Sequence, residues 1–425
     1  MRQPGVRAAA RAVATALTLA TGVLVAAPTS ASTPTATVVV PTQIPTQIPT
    51  EVDARIAAAL DARVTPAAFG TRVGGQVVDV ATGAVVWGRD ADRMLAPAST
   101  AKLVTASNAI AVLGPRHRVT TSVRRGATWA EVVLVGGGDP SLSRADLAVL
   151  TRTTVASLRL HRVSRVRVRF DDSLFAVPTP AAGWKADYVP TDVRAVRALV
   201  IDERHAADTA LDAARVFAGQ LSAAGIAVTA VGRGRAPVGA ATIATVRGDR
   251  IDVMVHQMLL TSDNDHAEAL HRLVALRAGQ RATWAGAVLA QRTVLAGQGV
   301  VIGPTQLYDG SGLSLRDRLT ARQIVQLVSG AVGSSSPVAS SLPVAGLTGT
   351  LRASLGRFAT APSRCAVGRV HAKTGTLDQV VSLAGWTTGA DGRVKAFAFV
   401  VNGAGDTLAL KRRVDNLAAT VTGCY

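Results

Sequence analysis

The sequence predicts a mixed fold (α/β, of the α+β type) in which helices flank an antiparallel sheet and a smaller α/β domain is inserted. Strand patterns joined by short glycine-containing turns occur at residues 72–87 and 380–401, as in antiparallel hairpins. Residues 117–250 instead alternate short strand patterns with helical runs. Polar motifs lie on both sides of this middle segment, at 97–102 and 259–268, which indicates one domain interrupted by another. The predicted domains are residues 51–116 with 251–425 for the main domain and 117–250 for the insertion.

The N-terminal residues have the pattern of a secretory signal peptide. Arg2, Arg7 and Arg11 precede an apolar run over residues 12–27, and small residues close the segment at Ala31. No later stretch is long and apolar enough to span a bilayer. We therefore expect an exported protein, periplasmic, in the cell wall or extracellular, with no transmembrane anchor in the mature chain. The predicted segments are a signal peptide over residues 1–31 and a Pro/Thr-rich linker over residues 32–50.

The chain is strongly basic, with 46 Lys and Arg residues against 28 Asp and Glu residues and a formal net charge of +18. Such a charge often indicates nucleic-acid binding. Export, the scattered arginines and an aromatic content of only 4% argue against nucleic acid here. An anionic polymer of the cell envelope is the more plausible charged partner. The alternative is that an arginine-rich composition simply spreads charge over the surface.

Cys365 and Cys424 are the two cysteines of the chain. In an oxidising compartment, two cysteines most simply form one disulfide. The bridge would close a loop of about 60 residues and stabilise the fold by roughly 4 kcal/mol on loop-entropy grounds.

Ser99 and Lys102 lie three residues apart at the start of an apolar helical pattern that ends at Gly114. A serine hydroxyl becomes a nucleophile when a neighbouring base removes its proton, and an amine in a dry site can be that base. Only five of the 46 basic residues are lysines, and arginine cannot give up its proton in a protein. The positive end of the helix dipole would also lower the pKa of Lys102. The alternative is that Ser99 caps the helix and Lys102 is a solvated charge.

Two further motifs follow the middle segment. Ser262 and Asn264 lie two residues apart at a predicted helix start, where a hydroxyl can relay a proton and an amide can hold a carbonyl. This stretch also suits a helix cap, and its acids with His266 invite a metal interpretation that the lack of an HExxH pattern disfavours. Lys373 and Gly375 belong to a Lys-Thr-Gly stretch on a predicted antiparallel strand. Gly375 has no Cβ and would let a ligand backbone lie against that strand, although Lys373 could also be an ordinary strand-end lysine.

Ser-x-x-Lys at 99–102, Ser-x-Asn at 262–264 and Lys-Thr-Gly at 373–375, in that order on helix, loop and strand, resemble the signature of the penicillin-recognising serine enzymes. Further stretches make the chain similar to the class C low-molecular-weight penicillin-binding proteins, the D-alanyl-D-alanine carboxypeptidase/endopeptidase family. The resemblance covers roughly residues 70–405 and implies a transpeptidase-like catalytic domain. The further stretches are 137–142, 171–175, 267–268, 309–314, 342–346 and 383–385.

The resemblance implies an acyl-enzyme mechanism without a metal or cofactor. Ser99 would attack the peptide carbonyl between two D-alanines while Lys102 accepts its proton. Ser262 and Lys373 would then pass a proton to the departing D-alanine. Backbone N–H groups of Ser99 and Thr376 would form an oxyanion hole, in which one donor is typically worth about 3 kcal/mol. The implied partners are peptidoglycan stem peptides and, as acylating inhibitors, β-lactam antibiotics.

The resemblance also implies substrate-binding residues. Asn264 would hold the acyl-side amide. Thr374 and Thr376 would bind the terminal carboxylate, with Gly375 between them on the same strand.

The chain departs from the family in two places. The gap from Ser99 to Ser262 is shorter than in the largest members, so a third, nested domain is expected to be missing. After Ser314, relatives often carry an arginine that, with an acid, recognises a diaminopimelate side chain. This chain has a leucine there, followed by Arg316, so Arg316 and Asp171 are the corresponding candidates.

Three alternatives remain beside this interpretation. A β-lactamase would share Ser99, Lys102 and Lys373, but none of the four glutamates lies in the Glu-x-x-Leu-Asn setting that primes the deacylating water in one large class. A Ser-His-Asp esterase would need a Gly-x-Ser-x-Gly elbow, which the sequence lacks. The non-enzymatic alternative is a wall-binding protein with a vestigial site, although every motif residue is present.

Overall fold

The computed structural model describes residues 50–202, 204–300, 305–403 and 405–425. The predicted signal peptide (1–31) and linker (32–50) lie outside the described residues, apart from Thr50. Thr50 begins the first helix with a capping box, because its hydroxyl accepts the N–H of Asp53 and the Asp53 carboxylate accepts the N–H of Thr50. Within the described ranges, no helix has both the length and the apolar character needed to cross a bilayer.

The predicted mixed fold is confirmed, with two five-stranded sheets and flanking helices. The strands are β1 (Val73–Asp79), β2 (Val85–Arg89), β3 (Arg118–Arg125), β4 (Glu131–Val135), β5 (Arg165–Asp171), β6 (Ala227–Arg233), β7 (Thr242–Arg250), β8 (Val370–Leu377), β9 (Val380–Thr388) and β10 (Val394–Asn402). The helices are α1 (Glu51–Arg63), α2 (Pro66–Phe69), α3 (Lys102–Leu113), α4 (Arg144–Leu160), α5 (Tyr188–Thr191), α6 (Thr209–Ala223), α7 (Ile251–Thr261), α8 (Asn264–Arg277), α9 (Trp284–Gly297), α10 (Ala321–Gly333), α11 (Pro337–Ser340), α12 (Ala361–Arg364) and α13 (Thr407–Val421). Short 3₁₀ helices cover Ala98–Ala101, Gly349–Leu351 and Ala353–Leu355.

The first sheet has the strand order β2-β1-β10-β9-β8 and is antiparallel throughout, which confirms the predicted hairpins. Alternate residues of β10 face two different cores. Phe397 and Phe399 pack in a core with α1 and α13, whereas Ala396 and Ala398 pack in a core with α3, α7, α8 and α10. On this second face, the 3₁₀ turn that carries Ser99 packs against β8 and β9. The sheet therefore supports both the serine turn and the strand that carries Lys373.

Residues 118–250 form the second sheet, with the strand order β6-β5-β4-β3-β7. β4, β5 and β6 are parallel to one another, and β3 pairs antiparallel with β4 and with β7. α4 and α6 cover the apolar face. The two ends of this segment meet, because the N–H of Ile251 donates to the carbonyl of His117 at 2.9 Å. The division into a main and an inserted domain remains a prediction.

The predicted disulfide is present between Cys365 and Cys424, whose Cα atoms are 6.4 Å apart. Cys365 follows α12 and Cys424 lies three residues beyond α13. The bridge therefore fixes the end of the chain to the segment that leads into β8.

Lys395 on β10 is fully buried among three carboxylates. Its Nζ donates to Asp53 at 2.5 Å and to Asp79 at 3.1 Å, and it lies 3.2 Å from Asp391. Burial alone would lower the pKa of Lys395, but the carboxylates outweigh it and raise that pKa above 10.5. Burial likewise opposes ionisation of Asp53 and Asp79, yet the bonds from Lys395 hold both pKa values below 3.8. This network joins α1 to β1 and β10, so Lys395 is a structural lysine.

Lys395→Met should destabilise the fold by about 3 kcal/mol, because it removes the buried cation of this network and leaves Asp53 and Asp79 to the half-buried Arg393. The lowered pKa values of the aspartates mean that their contribution is present above 3.8 and is lost as the pH falls further. The raised pKa of Lys395 means that its contribution is present below 10.5 and is lost as the pH rises above it. Denaturant unfolding at several pH values measures the difference between native protein and variant.

Lys411→Met is the matched control, since Lys411 is half-buried on α13 and forms no ion pair among the described residues, although the charge of Asp415 acts on it. Equal unfolding midpoints for the two lysine variants at neutral pH would contradict the structural role of Lys395.

Candidate active site

Ser99 lies in the 3₁₀ turn Ala98–Ala101 that leads directly into α3, whose first residue is Lys102. The preceding Ala98 has a positive φ of 48°, which turns the chain sharply into the motif. The turn is held closely by its neighbours. A Cβ on Gly312 would collide with the carbonyl oxygen of Ala98, so the glycine at 312 permits this approach. Ser99 is half-buried and Lys102 is fully buried.

The amine of Lys102 makes three hydrogen bonds to three separate segments. Its Nζ lies 3.1 Å from Ser99 Oγ, 2.6 Å from Asn264 Oδ1 and 2.8 Å from the carbonyl oxygen of Ser311. The amide oxygen and the carbonyl oxygen can only accept hydrogen bonds. When the amine is neutral, the hydroxyl of Ser99 is therefore the one partner of the three that can donate to its lone pair. The geometry directs the basic lone pair to the predicted nucleophile.

Burial lowers the pKa of Lys102 to about 8, although the charges of Asp309 and Glu268 act in the opposite direction. Desolvation, rather than the helix dipole expected from the sequence, is the main cause of this lowered pKa. A neutral fraction of this amine is thus available near neutral pH.

Ser262 ends α7 in the left-handed region, with φ 65° and ψ 35°. This conformation is unfavourable for a residue with a side chain and occurs preferentially at functional sites. Lys373 on β8 donates to Ser262 Oγ and to the carbonyl of Thr374, both at 2.8 Å. Burial, followed by the positive charges of Lys102 and Arg357, holds the pKa of Lys373 well below 10.5. The site therefore contains two hydroxyl–amine pairs, each with a buried amine and a half-buried hydroxyl.

Asn264 begins α8 and joins the Ser99–Lys102 pair to the loop that contains Asp192. Its Oδ1 accepts from Lys102, and its Nδ2 donates to the carbonyl of Asp192 at 2.8 Å. One amide hydrogen of Asn264 stays available, because an NH₂ group carries two donors.

Gly375 has a structural reason in addition to the expected one. A Cβ at this position would collide with Ser382 Oγ and lie 2.7 Å from the Pro97 carbonyl oxygen. The missing side chain thus lets β8 approach the serine turn, and the predicted contact with a ligand backbone remains a prediction. Thr374 donates to Thr350 at 2.8 Å, and Thr376 is exposed at the open side of the strand.

Buried carboxylates hold the loop that supplies the Ser311 carbonyl. Glu268 accepts the N–H groups of Gly310 and Ser311, and Asp309 accepts those of Gly312 and Ser314. Both acids lie in stretches that resemble the family, but the sequence motifs predict no role for them. They act by accepting hydrogen bonds from backbone N–H groups, and such contacts leave no recognisable pattern in the sequence.

Trp184 and its loop were missed by the sequence reasoning. Trp184 Nε1 donates to Asp309 at 2.7 Å, and Lys185 lies 4.0 Å from Asp378, just beyond β8. The carbonyl of Asp192 in the same loop binds Asn264. The one sequence signal that could have drawn attention to Trp184 is the rarity of tryptophan, which occurs only five times in the chain.

His266 ties the Ser262–Asn264 turn to the second sheet. Its Nδ1 lies 3.2 Å from Asp263, and its Nε2 lies 2.9 Å from Ser141 Oγ in the loop after β4. Burial would lower the pKa of His266, but Asp263 outweighs it and raises that pKa above 6.5. Asp263 lies between the two motif residues, so His266 is placed to hold both of them.

The structure does not bring Asp171 and Arg316 together. Both oxygens of Asp171 accept backbone N–H groups, from Ser173 and Ala236, and Asp171 lines a cleft beside β5 and β6. The side chain of Arg316 is exposed, and its backbone N–H donates to Ser314 Oγ. No hydrogen bond or ion pair joins the two side chains in the part of the chain that the structure describes. Their joint role in substrate recognition remains a prediction.

Comparison with known proteins gives one consistent family. Residues 56–206 and 200–422 match the D-Ala-D-Ala carboxypeptidase 3 (S13) family. A carboxypeptidase of Mycobacterium tuberculosis is 35% identical over 360 residues, which are 79% of this chain and 77% of the relative. Carboxypeptidase DacB of Mycolicibacterium smegmatis is 34% identical over 374 residues, which are 82% of this chain and 80% of the relative. Penicillin binding protein 4 of Haemophilus influenzae has a similar fold, with a TM-score of 0.72 at 20% identity, over 84% of this chain and 98% of that chain. The chain belongs to the D-Ala-D-Ala carboxypeptidase 3 (S13) family.

Proposed function

We propose that this protein is a serine D-Ala-D-Ala carboxypeptidase that acts on peptidoglycan stem peptides through an acyl-enzyme on Ser99. The observation that carries the proposal is the contact of Ser99 Oγ with the buried amine of Lys102 at 3.1 Å. The relatives with more than 30% identity over most of the chain are carboxypeptidases, one of them named a D-alanyl-D-alanine carboxypeptidase.

Acylation begins when neutral Lys102 accepts the proton of Ser99 Oγ. The oxygen then forms a bond to the carbonyl carbon between the two D-alanines. Backbone N–H groups of Ser99 and Thr376 stabilise the oxyanion. The contact of Gly375 with the serine turn supports this pairing, because it places Thr376 next to that turn.

Departure of D-alanine needs a proton on its nitrogen as the C–N bond breaks. Ser262 and Lys373 supply it through their 2.8 Å hydrogen bond, with Ser262 Oγ at the half-exposed end. Water then attacks the ester and releases Ser99. Asn264 holds the acyl-side amide through its available N–H, and Thr374 and Thr376 bind the terminal carboxylate.

The same chemistry cleaves a D-Ala–diaminopimelate cross-link when a second stem peptide enters the cleft. Asp171 and Arg316 remain the candidates for the diamino-acid side chain, and residues 117–250 the candidate inserted domain. Export through the predicted signal over residues 1–31 brings the enzyme to its substrate, and the Cys365–Cys424 bridge suits that oxidising location.

Benzylpenicillin should add covalently to the native protein and not to Ser99→Ala, because its β-lactam carbonyl takes the place of the D-Ala-D-Ala carbonyl. Intact-mass spectrometry measures the adduct. Ser107→Ala is the matched control, as Ser107 lies on the same helix and contacts Gln298 instead of the site. An adduct on Ser99→Ala would sink the assignment of the nucleophile, and rapid hydrolysis of penicillin without an adduct would favour the β-lactamase alternative.

The rate constant of acylation should rise with pH and level off above about 8, where Lys102 loses its proton. Lys102→Arg should lower that rate constant by about a thousandfold, since a guanidinium cannot act as a general base. Stopped-flow or mass-spectrometric acylation rates between acidic and alkaline pH test both statements. A rate that is flat across this range would exclude Lys102 as the base.

His266→Gln should slow acylation about tenfold by loosening the turn between Ser262 and Asn264, an effect of misplaced catalytic groups. His266→Asn and Ser141→Ala each alter one end of the His266–Ser141 contact. Their acylation rates should lie between those of the native protein and His266→Gln, or equal that of His266→Gln. Unchanged acylation in all three variants, with native thermal stability, would show that His266 has no positioning role.

A further inference from the structure

A second cleft, of about 660 Å³, opens where β5 and β6 end. Its walls are formed by residues 170–177, Arg197, residues 233–235, Leu276 and residues 281–283. The lining includes Asp171, the candidate named above for the diamino-acid side chain, but no residue of the hydrogen-bond network of Lys102. β5 and β6 are parallel neighbours, so their carboxyl ends lie at the same edge of the sheet, beside the cleft.

The cleft has an excess of positive charge, with four arginines against two aspartates. Asp172 is already occupied, because Arg197 lies 2.9 Å and Arg233 lies 3.5 Å from its Oδ2. Asp171 is occupied by the backbone N–H groups described above. The four arginines are Arg197, Arg233, Arg235 and Arg281.

Arg235 and Arg281 provide the excess. Both are exposed, and among the described residues neither has an ion pair or hydrogen bond through its guanidinium. They lie on different walls, since Arg235 follows β6 and Arg281 precedes α9. Among the described residues, the cleft therefore offers two unpaired guanidiniums on different segments, each able to bind a carboxylate through two parallel hydrogen bonds.

The remaining lining is largely apolar. Phe175 is buried at the base, and Leu276 is half-buried. Leu174 and Val177 are 40% and 82% exposed at the rim. A ligand of this cleft should combine carboxylates with short alkyl groups.

We propose that this cleft binds the carboxylates of peptidoglycan stem peptides other than the one held at Ser99, so that the polymeric wall is anchored while one stem is processed. The proposal rests on the function proposed above. Stem peptides carry free carboxylates beside methyl and methylene groups, which matches unpaired arginines beside apolar walls. A phosphodiester polymer with a hydroxylated backbone would match the charge but leave the apolar walls unused.

Binding to purified sacculi tests the proposal. The protein carries Ser99→Ala so that it cannot cleave, and the sacculi are treated with hydrofluoric acid to remove phosphate-linked polymers. The double variant R235Q/R281Q should bind at least about tenfold more weakly, since two charge-assisted contacts are lost. The control is R152Q/R215Q, which removes two exposed arginines from α4 and α6 and should bind as tightly as Ser99→Ala alone.

Amidation of the sacculus carboxylates should reduce binding of the Ser99→Ala protein at least to the level of R235Q/R281Q, since it also removes the terminal carboxylate assigned to Thr374 and Thr376. Equal binding of the two double variants would overturn the proposal. Binding that is lost when phosphate polymers are removed would overturn it in favour of a phosphate ligand.

Acylation by benzylpenicillin separates this inference from the proposed function. With Ser99 present, R235Q/R281Q should be acylated at the native rate, because the cleft shares no residue with the Lys102 network. Slowed acylation would show that the two arginines act on the catalytic site and would overturn a separate binding role. If no variant forms an adduct but binding to sacculi still depends on the two arginines, the proposed enzyme activity is refuted and the binding role of the cleft is supported.

Discussion

The buried amine of Lys102 is the constraint on which the rest of the site depends. Removing an amine from water is costly unless its hydrogens find acceptors. Here the acceptors come from the serine turn, the start of α8 and the carbonyl of Ser311. The contacts that stabilise the amine are thus the same contacts that bring the three segments together. The acids Glu268 and Asp309 fix the third segment through backbone N–H groups, so they support the amine without contacting the reacting atoms.

Three of the five lysines are buried, and their neighbours decide their chemistry. Lys395 contacts carboxylates, which keep it charged and make it a structural cation. The direct partners of Lys102 and Lys373 are hydroxyl, amide and carbonyl oxygens, which offset desolvation only in part, and both pKa values are lowered. Whether a buried lysine acts as a base or as a structural cation therefore depends more on the charge of its hydrogen-bond acceptors than on its burial.

Much of this arrangement could be predicted from the sequence because it has a periodic or spaced signature. The alternation of apolar and polar residues predicted the hairpins, the order of the three motifs indicated the site, and the two cysteines predicted the disulfide. The unpredicted parts have no such signature. Ser311 acts through its carbonyl, and Gly375 is required by the neighbouring serine turn rather than by its own strand. Trp184 reaches the site by tertiary contact. The pairing of Asp171 with Arg316, inferred from resemblance alone, has no contact to support it.

The meeting of His117 with Ile251 has a consequence for how the chain folds. Entropy opposes bringing α3 together with α7 and α8 across so long a stretch of sequence. Once β3 and β7 are paired along their length, however, the ends of that stretch are already side by side. The folded sheet then acts as a tether of a few residues between Gly114 and α7. Residues 118–250 therefore have the closure entropy of a short loop, so their number can vary wherever the contacts of Ser141, Trp184 and Asp192 with the site are kept.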